Sequence, residues 1–345
     1  MLLAPEEIEK VRNFQYVVVD ESITSVVLNP LWHALLDRCV PTTVAPNVLT
    51  FLGLFMCHAA LCAAVFLESS ATTTLLVAAC IVAYIAMDAL DGKQARRTGN
   101  STPLGEILDH VCDSLSVVPI TLSLLICLGV QNNHLSQTIV HTACASFLSA
   151  HVEAAHTGHL KFNKWTGPVE VLVLVVVALL LRAMDQAFLQ GQLGDVHLNM
   201  LLSWWPMQQF STLCFVATII ALDWNATKCH SRLGNSLMLS IFAALLHESV
   251  TPRGHWQRNS VLLLGLGAKY AVLSCETIVC KMSYTTNRPV HWVVTGSIIV
   301  VAGLTFLDAA SVLPSVAAIG FCIIYMCTLV YQLCKDLNLP LLQII

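Results

Sequence analysis

Residues 88–113 read DALDGKQARRTGNSTPLGEILDHVCD, and their spacing governs the reading of the whole chain. Asp88 and Asp91 are three apart and Asp109 and Asp113 four apart, so each pair shares one face of a helix. Between the pairs, Thr98-Gly99-Asn100-Ser101-Thr102-Pro103 is rich in turn residues, with Thr102 placed to cap a helix and Pro103 to be its first residue. The spacing therefore predicts a helical hairpin whose four carboxylates converge at one end.

On both sides of the hairpin the chain is apolar. Of 345 residues, 56% are hydrophobic and only 11% charged, whereas a soluble domain has about 25% charged residues. Ten apolar stretches, at about 47–67, 71–91, 103–130, 134–156, 167–187, 198–222, 234–250, 259–281, 289–311 and 313–335, each approach the length that crosses a hydrocarbon core as a helix. The expectation is an all-α integral membrane protein of about ten transmembrane helices, with the motif on the hairpin between helices 2 and 3. Residues 1–46 form an N-terminal segment, 47–222 a core of six spans, and 223–345 further spans.

Acidic residues such as Glu6, Glu7 and Glu9 occupy the place of the basic stub of a cleavable signal, so insertion is expected to rely on internal helices. Most of the 17 Lys and Arg fall in the N-terminal segment, the C-terminal tail and the loops after spans 2, 4, 6 and 8, which the positive-inside rule assigns to the cytosol. Leu2, Leu3, Ile8, Val11 and Phe14 are spaced for one face of a short helix, lying on the membrane surface or packed on the protein's own cytosolic side. The 14 cysteines contain no Cys-x-x-Cys pair and read as small core residues. A net charge of −4 argues against a nucleic-acid partner.

Carboxylates near the ends of apolar helices are costly unless their charge is offset. Asp88 and Asp91 are also expected at a helix C-terminus, where the macrodipole is already negative. Four such acids make sense around hard divalent cations, which prefer oxygen ligands. The alternative is salt bridging to Lys93, Arg96 and Arg97, which leaves Asp109 and Asp113 without obvious partners.

Asp88, Asp91, Gly92, Ala95, Arg96, Gly105, Asp109 and Asp113 match the eight fixed positions of the signature of the CDP-alcohol phosphatidyltransferase family. The flanking Gly-Lys-Gln-Ala-Arg-Arg-Thr at 92–98, Pro-Leu-Gly-Glu at 103–106 and Asp-His-Val-Cys-Asp-Ser-Leu at 109–115 resemble its eukaryotic choline/ethanolamine phosphotransferases. The resemblance is strongest over residues 40–170. It implies two Mg²⁺ or Mn²⁺ ions on Asp88, Asp91, Asp109 and Asp113, and contacts from Asn47, Asp88, Asp91, Gly92, Arg96 and Glu106 to CDP-choline or CDP-ethanolamine. His110 is the local candidate for a general base and Asp113 the competing one. The implied reaction moves phosphocholine or phosphoethanolamine to the hydroxyl of diacylglycerol or an ether-lipid analogue, releasing CMP. The implied setting is the endoplasmic reticulum or Golgi membrane, with a cytosol-facing site and a homodimer as a further expectation. An inositol acceptor and, from a different class, a membrane transporter are the competing readings.

A second polar cluster, His151, Glu153, His156, Thr157 and Gly158, closes span 4, and Glu170 follows after the loop. Either Glu153 or Glu170 is a candidate to neutralise a cationic head group. Two sequons, Asn100-Ser101-Thr102 and Asn225-Ala226-Thr227, fall in loops expected to be cytosolic and hence unmodified.

Overall fold

The computed structural model describes residues 2–15, 18–130, 133–162, 164, 167–189, 256–285 and 312–344. In chain order its elements are α1 (Pro5–Arg12), β1 (Val18–Asp20), α2 (Ile23–Cys39), α3 (Pro46–Phe66), α4 (Ala71–Thr98), α5 (Pro103–Cys127), α6 (Asn133–Thr157), β2 (Leu160–Phe162), α7 (Pro168–Phe188), α8 (Trp256–Ser283) and α9 (Leu313–Leu337). Helices α3 to α9 follow the first five, the eighth and the tenth expected spans. The expected spans at 198–222, 234–250 and 289–311 lie outside the described residues.

Six of these helices, all of the seven but α6, are long and apolar enough to cross a membrane, and the chain is a helical integral membrane protein. Their outward faces carry large apolar side chains, among them Phe55 on α3, Leu174 on α7 and Ile324 on α9, each more than half exposed. Lipid rather than water is the solvent that tolerates such faces. Helix α8 is buried along most of its length and packs against α5, α6 and α9. Two glycines permit that approach. A Cβ at Gly267 would lie 2.4 Å from Cγ2 of Val118 on α5, and one at Gly265 would lie 2.4 Å from Cβ of Ser315 on α9.

The motif hairpin is present, but its arms are held apart. Helix α3 packs extensively on both α4 and α5, whereas α4 and α5 touch each other little. Helix α4 also runs further than expected. It continues two turns past Asp91 through Gln94, Ala95, Arg96 and Arg97, all good helix formers, and ends at Gly99, whose φ of 69° is the left-handed cap that glycine accepts. The aspartates of α4 therefore sit inside the helix, not at its C-terminus.

The N-terminal segment packs on the protein. Leu3, Ile8 and Val11 enter the same apolar core as α8 and α9, and Gln332 of α9 binds the backbone of Leu2 and Leu3 through both ends of its amide. Beyond α1, β1 pairs in parallel with β2 from the loop after α6, with Val18 opposite Leu160. This ties the N-terminal segment to the loop that precedes α7.

Candidate active site

Helical spacing and the wedge of α3 together build the site. On α4, Asp88 and Asp91 face the gap toward α5. Thr50 of α3 donates from its hydroxyl to Oδ2 of Asp91 at 2.6 Å, and the Gly92 amide donates to Oδ1 of the same carboxylate. On α5, Thr102 accepts from the Gly105 amide at 3.1 Å and starts the helix at Pro103, as its sequence predicts. Glu106, Asp109, His110 and Asp113 then fall on one face, at intervals of three and four. The Tyr84 hydroxyl of α4 crosses to Oδ1 of Asp113 at 2.8 Å.

A cavity of about 1520 Å³ opens between these helices, and all nine candidate residues line it: Asn47, Asp88, Asp91, Gly92, Arg96, Glu106, Asp109, His110 and Asp113. Its lining also includes the apolar Ile85, Val117, Ile120, Leu172 and Val175 and the charged Asp20, Lys93 and Lys161. The cavity can therefore hold a molecule with a charged end and an apolar end side by side.

Among the described residues, Asp109, His110 and Asp113 form a cluster of potential metal-ligating side chains whose atoms all lie within 4.8 Å of one another. Asp88 and Asp91 line the same cavity outside that group. No ion pair joins any of the four aspartates to a basic side chain among the described residues. Of the three cations expected to compete, Arg97 turns away to Asp37 at 3.6 Å and to the carbonyls of Leu36 and Val40, whereas Lys93 and Arg96 line the cavity without forming an ion pair to the aspartates among the described residues. Oδ1 of Asp109 is buried with no hydrogen-bond partner. An orphaned carboxylate oxygen among further acids, with oxygen donors dominating, is a donor set that fits a hard divalent cation.

The remaining candidates have distinct surroundings. Asn47 is buried and donates its amide to the Leu341 carbonyl at 2.7 Å, so the C-terminal tail reaches the cavity. Beside Gly92, the atoms that a would-be Cβ would meet within 4 Å among the described residues, beyond its own helix backbone, are the Arg96 guanidinium nitrogens at 3.6 and 3.9 Å, so a ligand can approach the backbone here. Glu170 accepts from the Ser22 hydroxyl at 2.5 Å and the Thr24 amide at 3.1 Å, which ties α7 to the start of α2. Glu153 is exposed on the cavity wall, and His151 is buried there. Thr50 and Tyr84 were missed by the motif reading, although each lies one helical turn from a named residue, Asn47 and Asp88 respectively, and so on its face.

Comparison with known proteins follows the same residues. Residues 43–207, a little under half of the chain, match the family model described as CDP-alcohol phosphatidyltransferase. Cholinephosphotransferase 1 of Gallus gallus is 33% identical over 191 residues, covering 52% of this chain and 56% of the relative. Ethanolaminephosphotransferase 1 of Mus musculus is 24% identical over 348 residues, covering 91% of this chain and 85% of the relative. An uncharacterized class-I family protein of Schizosaccharomyces pombe is 32% identical over 187 residues, covering 51% and 47%. The chain thus spans about half the length of the Gallus gallus and Schizosaccharomyces pombe relatives it matches.

Proposed function

Because residues 43–207 constitute a CDP-alcohol phosphatidyltransferase domain, we propose that this protein transfers phosphocholine or phosphoethanolamine from its CDP ester to the hydroxyl of diacylglycerol or an ether-lipid analogue, releasing CMP. The observation that carries the reading is the convergence of all nine motif residues on one cavity whose lining is acidic, includes a buried unpartnered oxygen of Asp109, and also carries apolar side chains. In this reading residues 47–222 hold the catalytic core and 223–345 support it, with α8 backing α5. The concentration of Lys and Arg in alternate loops supports a cytosol-facing site, and the endoplasmic reticulum or Golgi membrane is the setting that the family resemblance implies.

Asp88, Asp91, Asp109 and Asp113 would hold two Mg²⁺ or Mn²⁺ ions, which when bound stabilise charge on the pyrophosphate and on the departing CMP oxygen. The open backbone at Gly92 and the planar fork of Arg96 receive phosphate oxygens, with Asn47 and Glu106 bordering the same substrate. The lipid hydroxyl oxygen bonds to the β-phosphorus as the bond from that phosphorus to the bridging oxygen breaks. His110 accepts the hydroxyl proton on an imidazole nitrogen, with Asp113 the neighbouring carboxylate that can do so in its place. The apolar wall of Ile120, Leu172 and Val175 keeps the acyl chains beside the polar end of the cavity.

The test is competition. Purified protein receives equimolar CDP-choline and CDP-ethanolamine with diacylglycerol, and the lipid products are weighed by mass spectrometry. Phosphatidylcholine or phosphatidylethanolamine is expected. In a parallel reaction, product only from CDP-diacylglycerol with inositol as acceptor would overturn the assignment within the family, and no product from any donor and acceptor pair would overturn the reaction class.

A further inference from the structure

His151 of α6 is only 6% exposed and lines the cavity. Its ring stacks on Phe147, one helical turn earlier, with centroids 4.5 Å apart and planes at 27°. Its Nδ1 lies 3.2 Å from the Phe147 carbonyl oxygen. A carbonyl oxygen can only accept, so Nδ1 carries the proton and Nε2 of the neutral ring keeps a lone pair. That Nε2 is buried and has no hydrogen-bond partner. An unmet buried acceptor costs about 1–3 kcal/mol, a cost that a phenylalanine filling the same space would not incur. Packing therefore does not account for a histidine here.

The ring that faces it is His110 of α5, itself 8% exposed, with centroids 5.0 Å apart and planes at 89°. An N–H···N bond of about 2.9 Å between two imidazoles sets their centres roughly 5 Å apart. The observed spacing is within reach of such a pair, although the bond itself is not formed, and a modest rotation of one ring would satisfy Nε2. We propose that His151 is the positioning residue for His110: anchored through Nδ1 to the Phe147 carbonyl, it accepts a hydrogen bond at Nε2 from His110. This holds the other His110 nitrogen, with its lone pair, toward the acceptor hydroxyl. The arrangement is that of a base oriented by a third group, here supplied from a helix outside the motif hairpin. It rests on His110 being the proton acceptor proposed above, and the experiment separates the two claims.

The variants are His151→Phe, His151→Gln, His110→Ala and the double variant His110→Ala with His151→Phe. Each is purified in detergent, checked for monodisperse elution, and assayed for kcat and for the KM of CDP-choline, CDP-ethanolamine and diacylglycerol. His151→Phe keeps the ring and its stack on Phe147 but removes the acceptor. It is expected to lower kcat by about 10–100-fold, the scale of a small misplacement of a reacting group, with the CDP-alcohol KM changed less than twofold. His151→Gln, whose side-chain oxygen can accept, is expected to recover part of the rate, and the double variant is expected to be no slower than His110→Ala. Wild-type kcat in His151→Phe overturns the positioning role, as does a double variant slower than His110→Ala by the full His151→Phe factor, or a change confined to the diacylglycerol KM. Full activity of His110→Ala instead overturns the base assignment on which the proposal rests.

Discussion

Replacing Gly267 or Gly265 by alanine puts the architecture under direct test, because both glycines lie on α8, far in sequence from the motif that α8 supports. At Gly267 the new methyl group would stand 2.4 Å from Cγ2 and 3.2 Å from Cβ of Val118. At Gly265 it would stand 2.4 Å from Cβ of Ser315 and 2.6 Å from its Cα. Carbon atoms in contact sit about 3.5–4.0 Å apart, so each substitution demands a displacement of about 1 Å or more. Val118 is a side chain stiff at χ1 and can yield only in part, whereas Cα of Ser315 is backbone and yields only if α8 and α9 separate. Overpacking of a close-packed core costs about 1–3 kcal/mol. Gly265→Ala should fall at the upper end of that range and Gly267→Ala below it. Gly320 of α9, where a Cβ would meet nothing within 4 Å, is the internal control and should change nothing measurable. The assay is thermal unfolding of the purified protein in detergent, followed by the fraction remaining monodisperse. The reasoning predicts the lowest midpoint for Gly265→Ala, an intermediate one for Gly267→Ala, and no lowering for Gly320→Ala. Equal midpoints for all three variants would refute the packing of α8 between α5 and α9.

Three further outcomes are expected. Asp91→Asn and Asp113→Asn should each abolish turnover while leaving expression and elution unchanged, since an amide keeps the shape and the Thr50 or Tyr84 contact but weakens a cation site; wild-type turnover in either would remove that aspartate from the site. Ending the chain after Pro340 removes the Leu341 carbonyl that holds the Asn47 amide. A net hydrogen bond of about 0.5–1.5 kcal/mol then no longer competes with substrate, and the CDP-alcohol KM should fall by about 2–10-fold; a raised KM would instead mean that the tail orients Asn47. Treatment with an N-glycan-removing enzyme should leave the mobility of protein from eukaryotic cells unchanged, and a glycan on Asn100 would place the motif hairpin in the lumen.

The hairpin was legible because its signals are local. A turn-rich stretch, Thr102 before Pro103, and acids at intervals of three and four all act within one or two helical turns, and the structure places them as that spacing implies. The starts of α3 and α7 carry the same kind of local signal as α5, since Pro46 and Pro168, like Pro103, each stand in a first turn. What escaped the sequence depends on distant partners. The parallel pairing of β1 with β2 joins residues far apart in a chain with no alternating pattern at Val18–Asp20. Glu170, a candidate for a cationic head group, is held through its Oε1 by Ser22 and Thr24, a tie that no local rule supplies, while its buried Oε2 has no hydrogen-bond partner among the described residues. Helix α2 was not anticipated because Pro30 and a mixture of polar and apolar residues hide its period. His151 was singled out as polar near the end of a span, but its meeting with His110 needed the packing of α6 on α5.

The central claim is that these carboxylates serve a metal-dependent transfer from a CDP-alcohol to a lipid hydroxyl. Purified protein in detergent with diacylglycerol, CDP-choline and CDP-ethanolamine should release CMP and form phospholipid in equal amounts when Mg²⁺ or Mn²⁺ is present. Release should cease on chelation with EDTA and resume when the cation is restored in excess. Undiminished product after chelation, or CMP release with no phospholipid formed, would contradict the account.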